Sequence, residues 1–178
     1  KGSKRKNTMM KTLQDRIEEK LNSMINKNSN RMDFYKRYQD IIYAYNKEKD
    51  RATIEATFDD LLDFLNQLNN EEKRAAREGL TEESLVIMDL LEKPNLSQRE
   101  REKIKQMSEG LLSEVKDLLK DIDNWREKAQ TSAKVKSGIY DYLYENLPES
   151  YDFEEIDFKS DIIYNHFYEN SSSIVDNI

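Results

Sequence analysis

The sequence holds one histidine, His166, and no cysteine. A Ser-His-Asp triad needs its histidine beside a serine and an acid, and zinc sites draw on several His or Cys ligands, so that count nearly closes both chemistries. The neighbours Tyr164, Phe167 and Tyr168 suggest a histidine packed at a helix end. The four glycines are isolated, so neither GxxxxGK nor GxGxxG can be written and no phosphate cradle of either kind exists. Carboxylates are plentiful, and a magnesium-dependent nuclease would place Glu-x-Lys on a strand. That spacing occurs at Glu18/Lys20, Glu71/Lys73 and Glu114/Lys116. With 20 Glu and 19 Lys, chance gives about two such pairs, and all three lie in segments of helical pattern. Asp59, Asp60 and Asp63, and Glu82 with Glu83, read as solvated helix faces and helix-start acids.

Tyrosine is the unusual residue. There are ten; Tyr35, Tyr38, Tyr43 and Tyr45 fall in one short stretch, Tyr140, Tyr142 and Tyr144 in another. Arg31, Lys36, Arg37, Lys47, Lys49 and Arg51 interleave with the first group. Aromatics beside Lys and Arg can stack bases and grip phosphates, can anchor a protein interface, or can pack into a core with their hydroxyls reaching water. With the charged segment that follows, this stretch makes Tyr35, Tyr38, Arg74 and Arg77 the candidate partner-binding residues. No catalytic, cofactor-binding or metal-ligating residue is assigned.

The elements that carry these residues are helices. Of 178 residues 37% are charged and only four are Gly and two Pro, a composition that suits helices and leaves little for tight turns. Apolar residues recur at steps of three and four: Met9, Leu13, Ile17, Leu21 and Met24, then Phe34, Tyr38, Ile41, Ile42 and Tyr45, then Ile54, Phe58, Leu61, Leu62, Leu65 and Leu68. Asn26 to Asn30 break the first from the second, Thr53 can cap the third, and Asn69-Asn70 close it and open a short helix over 70–79 that exposes Lys73, Arg74 and Arg77. Gly79 supplies a left-handed stop, Thr81 can open the next helix, and Pro94 ends it. Ser97 with Glu100, and Asp152 with Glu155, fit capping boxes. The longest helix spans 97–124, and Gly110 inside it marks close packing. Thr131 to Asn146 forms another helix, ended by Leu147-Pro148. The expected fold is all-α, a compact bundle of mostly short antiparallel helices without sheet. Its core should contain Phe58, Leu62, Leu65, Leu85, Met88, Leu111, Val115, Leu118 and Ile139. Charge is uneven: residues 1–20 carry seven Lys/Arg against three Asp/Glu, and residues 145–178 nine Asp/Glu against one Lys.

Three runs carry a likeness beyond helix patterning: Arg51-Ala52-Thr53-Ile54-Glu55, Glu71 through Leu80 (EEKRAAREGL), and Asp89 through Pro94 (DLLEKP). With Arg99 through Lys105, Trp125 and the Leu147-Pro148 break, the sequence resembles the C-terminal helical domain of the restriction (R) subunit of type I restriction–modification enzymes over residues 34–169. The resemblance implies that residues 1–33 connect to a motor and that 34–169 form a helical assembly domain; 170–178 read as a frayed tail. The parent would be an ATP- and magnesium-dependent DNA translocase and endonuclease whose catalytic residues and cofactors all lie upstream, and the chain, which starts at Lys1, reads as a fragment of it. Its partners would be the modification (methyltransferase) and specificity subunits, with DNA reached through the whole complex, in the cytoplasm. A helical domain touching duplex beside the motor and an unrelated helical adaptor stand as alternatives. No apolar run approaches a membrane span.

Overall fold

The computed structural model describes residues 2–47, 50–120, 122 and 124–170, with side chains from residue 7 onward. Among them there are eight α-helices, two short 3₁₀ turns and no strand. The fold is all-α. The expected frayed tail lies, beyond Asn170, outside the described residues. Contacts divide the chain into Lys1–Glu82 and Glu83–Ile178; residues 1–33 thus belong to the same unit as the segment that follows them.

The first unit holds α1 (Gly2–Lys27), α2 (Met32–Lys47), α3 (Arg51–Glu72) and α4 (Arg74–Glu78), with a 3₁₀ turn at Ser29–Arg31. On α1 the buried line is Met10, Leu13, Ile17, Leu21 and Met24; Met10 takes the inward place and Met9 is left 51% exposed. Spacings of three and four keep these residues on one stripe. Asn28 follows α1 and caps the 3₁₀ turn by accepting from the Asn30 amide at 3.0 Å. On α3 the buried line is Thr57, Leu61, Phe64 and Leu68. That is one residue out of step with the core expected there: Phe58 and Leu65 are half-buried and Leu62 is 39% exposed. The reason is width. α3 packs against both α1 and α2, so its apolar surface spans two stripes, and periodicity cannot tell the deep one from its neighbour. Asp50, not Thr53, caps α3: its carboxylate accepts from the Thr53 amide at 2.7 Å, and that bond holds its pKa below the usual value. Asn69 and Asn70 do not interrupt α3, which runs on to Glu72 and breaks at Lys73. Gly79 stops α4 at φ +70. The Leu80 amide reaches the Ala75 carbonyl (2.9 Å) and the Gly79 amide the Ala76 carbonyl (3.2 Å), with Leu80 and Ala75 both buried, a Schellman stop.

α5 (Glu82–Leu91) leads into the second unit, with α6 (Gln98–Leu119), a 3₁₀ turn at Trp125–Glu127, α7 (Ala129–Asn146) and α8 (Phe153–Glu169). α5 is buried all round, from Ser84 through Met88, as a helix apolar on every face must be. Both expected capping boxes form, at Ser97/Glu100 and Asp152/Glu155. Leu85, Met88, Leu111, Val115 and Ile139 are all fully buried, while Leu118 is half-buried. Gly110 does mark a close approach: a Cβ there would meet the Tyr142 hydroxyl at 2.1 Å. That ring lies across α6, near enough for its hydroxyl to donate to the Met107 carbonyl at 3.4 Å. No described helix is long and apolar enough to cross a membrane.

Candidate docking surface

The four candidate residues all lie in the first unit, and the structure sorts them. Tyr38 is 5% exposed. Its ring stacks on Phe64 at 6.1 Å and its hydroxyl donates to the Glu18 carboxylate at 2.7 Å. Burial, then that hydrogen bond, raises its pKa well above the usual phenol value. Tyr38 is therefore a core residue of the first unit; of the two tyrosines it is Tyr35, 38% exposed, that faces outward. Arg74 is similarly committed: its Nε stands 3.0 Å from Glu71 and its side chain is 19% exposed. Arg77, one turn on, is exposed.

What links these positions is a residue the sequence shows only as one of several surface cations. Arg31 has 2% of its side chain exposed. Its Nε donates to Glu71 at 3.0 Å, its Nη1 donates to the Met24 carbonyl at 3.3 Å, and Nη1 also stands 3.0 Å from the Glu82 carboxylate. The Glu82 contact is close enough for an ion pair but off the hydrogen-bond axis, and Arg31 Nη2 has no hydrogen-bond partner. The rigid planar fork explains why arginine serves here: one side chain reaches two carboxylates and a carbonyl in fixed directions. Through Glu71, which accepts from both Arg31 and Arg74, the end of α1, the start of α2, the end of α3 and α4 are tied together. Lys20 adds a contact to Glu72 at 2.5 Å. Tyr35 lies one turn beyond Arg31 and Arg77 one turn beyond Arg74, so a buried ion-pair joint sets the helices that present both. No local sequence signal marks Arg31, because its partners lie 40 and 51 positions along the chain.

A second polar joint organises the other unit. Lys159 donates to the Leu90 and Glu92 carbonyls at 2.7 and 2.9 Å, satisfying the orphan carbonyls at the end of α5; burial holds its pKa below the usual lysine value. Tyr151 donates to the Leu91 carbonyl at 2.8 Å. Lys93 reaches the Ser150 carbonyl at 2.5 Å and Glu155 at 2.6 Å, over the Tyr151 ring at 4.3 Å. Hydrogen bonding to Lys93 lowers the Glu155 pKa. His166 sits on the last turn of α8 with its ring edge-on to Phe167, 5.6 Å between centroids, and burial lowers its pKa.

Neither joint has the form of a reaction centre: every charged group in them is spent on a helix end or an opposite charge. Among the described residues no three His, Asp or Glu side chains are grouped to hold a metal ion. An open groove of about 340 Å³ is lined by Met9, Met10, Ile54 and Phe58 together with Glu55 and Asp59. The fold and its surface define an all-helical domain whose polar residues organise helices and whose unspent ones face outward. The chain belongs to the family of type I restriction enzyme HindI endonuclease subunit-like C-terminal domains, whose sequence model matches residues 1–167. The match takes in α1 as well as the segment from residue 34. No curated protein and no solved structure matches the chain.

Proposed function

We propose that this domain docks the R subunit of a type I restriction enzyme onto its methyltransferase–specificity core and performs no chemistry itself. The observation that carries the reading is the exposure of Tyr35 and of Arg77 on helices that the buried Arg31–Glu71–Arg74 joint ties together, in a domain of this family. Tyr and Arg are the residues that most often dominate protein interfaces, and helices fixed in place present them at low entropic cost. In this reading the parent subunit pumps and cuts DNA with ATP and magnesium ions bound in other domains. In support of that reading, neither GxxxxGK nor GxGxxG occurs in the sequence, and among the described residues no three His, Asp or Glu side chains are grouped to hold an ion.

The test is a pull-down of the full 178-residue chain with the cognate methyltransferase–specificity core, run beside a titration against duplex DNA at two salt concentrations. Tyr35→Ala with Arg77→Ala should weaken the protein complex and leave the thermal melt nearly unchanged. Wild-type binding by that double variant refutes this surface. A loss confined to duplex affinity, with a flatter salt dependence, would make it a DNA contact instead; the net charge of −7 argues against that outcome. The chain should hydrolyse no ATP and cut no DNA with magnesium present, and cleavage abolished by Glu71→Ala would overturn the non-catalytic reading.

A further inference from the structure

Three aromatic rings stand in series along one edge of the α7–α8 hairpin. Tyr140 and Tyr144 stack with centroids 6.3 Å apart and planes 14° apart. Tyr144 stacks in turn on Phe153, 6.1 Å away at 20°. Tyr144 is 55% exposed and Phe153 68%. The core does not need them, because the inward faces of the two helices are filled by Val135, Ile139, Leu143, Ile156, Ile163 and Phe167.

The register of the hairpin shows what surrounds the rings. Ser132 and Tyr164 share a hydrogen bond of 2.7 Å, Lys136 pairs with Asp161 at 2.8 Å, and Tyr144 meets Phe153. These three pairs follow one antiparallel register along a single edge, and that register sets Asp157 opposite Tyr140. The Asp161 hydrogen bond chiefly, with Asp157 also contributing, raises the Lys136 pKa. Asp141, Glu145, Glu149 and Glu154 are exposed around the aromatic end. Lys136 is spent on Asp161, and Lys159, the one lysine or arginine after residue 144, on the α5 carbonyls; Arg99 and Lys103 share a groove with Glu149.

We propose that the Tyr140–Tyr144–Phe153 stripe is a docking site for an arginine-rich segment of a partner protein. Guanidinium planes stack on exposed rings by cation–π attraction, and the surrounding carboxylates supply the opposite charge. A nucleic acid would find the same rings for its bases, but its phosphates would meet the carboxylates of Asp141, Glu145, Glu154 and Asp157. The site lies in the other unit from Tyr35 and Arg77, so its failure would leave the proposed function standing.

The probe is a fluorescein-labelled octa-arginine peptide titrated against the full chain at low and high salt, with octalysine and a single-stranded DNA oligonucleotide as comparisons. Octa-arginine should bind more tightly than either, and more weakly at high salt as the charges are screened. Tyr144→Ala with Phe153→Ala should weaken octa-arginine binding roughly fivefold or more, from two rings' worth of cation–π contact, and change octalysine binding less. Melting temperature and Trp125 emission report that the fold is kept. Should the alanine pair disturb the fold, Tyr144→Leu with Phe153→Leu retains apolar bulk without the π faces and should show the same loss. Unchanged octa-arginine affinity in the variant that keeps its fold, or tighter binding of the oligonucleotide, overturns the proposal. So does self-association of the wild-type chain that the double variant abolishes, since the occupant would then be a second copy.

Discussion

Replacing Arg31 with methionine tests whether the buried joint holds the first unit together. The substitution keeps an unbranched stem of similar reach and removes the guanidinium. Taking one partner from a buried ion pair costs about 3–5 kcal/mol when the other is left stranded. Neither carboxylate here is fully stranded: Glu71 keeps Arg74 at 3.0 Å, and the Glu82 side chain is 34% exposed, so water reaches it. Arg31 also begins with an unpartnered Nη2, a defect that methionine removes. The expected cost therefore falls below that range, to about 2 kcal/mol. Urea unfolding followed by far-ultraviolet circular dichroism reads it, because the described part of this unit is almost wholly helical. Glu71→Gln should cost at least as much, since it deprives two arginines at once, and the double variant should cost less than the sum of the singles. A change below about 0.5 kcal/mol for Arg31→Met, the size of an ordinary surface substitution, would refute the joint as a structural element. Additive single effects would refute the coupling through Glu71.

Leu61→Ala should cost about 2–5 kcal/mol and Tyr38→Ala about 3–5 kcal/mol, whereas Leu62→Ala should cost clearly less than Leu61→Ala; chemical denaturation of the three variants checks the one-residue rotation of α3. Gly110→Ala gains about 1 kcal/mol of helix propensity but drives a Cβ against the Tyr142 hydroxyl, so it should destabilise the wild type; in a Tyr142→Phe background, where that hydroxyl is gone, the same change should become neutral or stabilising in a thermal melt. The Glu100 carboxylate, bonded to the Ser150 hydroxyl and to the Ser97 amide and hydroxyl, has its pKa lowered to about 2. A depressed folded pKa stabilises above the unfolded value, so this contribution should be present above about pH 4.5 and fade as the pH falls toward 2; a carbon-detected NMR titration should show the pKa rise on Ser150→Ala.

The parts of this fold that the sequence revealed are those whose causes sit within a few residues of one another. Ser97 with Glu100 and Asp152 with Glu155 specify their own hydrogen bonds three residues apart. Gly79 is written by the one conformation that favours it, and Gly110 by the cost of a glycine inside a helix. Long-range decisions escaped the same reading. Asn69-Asn70 looks like a stop, yet Leu68 is fully buried on one side and Glu72 is held by Lys20 on the other, and this tertiary support carries α3 through weak helix formers. Tyr35 and Tyr38 have the same residue type three positions apart; only the place of Phe64 on the facing helix makes one core and the other surface. Arg31 is the clearest case, an arginine in a basic stretch that becomes the most buried charged side chain described in its unit because two acids far along the chain come to it.

The runs that carry the family likeness acquire a physical meaning from this arrangement. In EEKRAAREGL, Glu71 and Arg74 belong to the Arg31 joint, Glu72 to Lys20, Ala75 and Leu80 to the buried side, and Gly79 to the helix stop. In DLLEKP, Leu91 is core, the carbonyls of Leu90, Leu91 and Glu92 are filled by Lys159 and Tyr151, and Lys93 holds Ser150 and Glu155. Most residues of these segments read as assembly instructions for the domain itself. Within the first run the side chains of Lys73, Ala76 and Arg77 are exposed. A scan of that run should therefore separate two behaviours. Substitutions at Glu71, Arg74 and Leu80 should lower stability and weaken docking in proportion to it. Substitutions at Lys73 and Arg77 should leave the melt alone and act on docking directly. Docking that follows stability at every position of the run would place the partner surface outside it, on residues whose identity the family likeness does not mark.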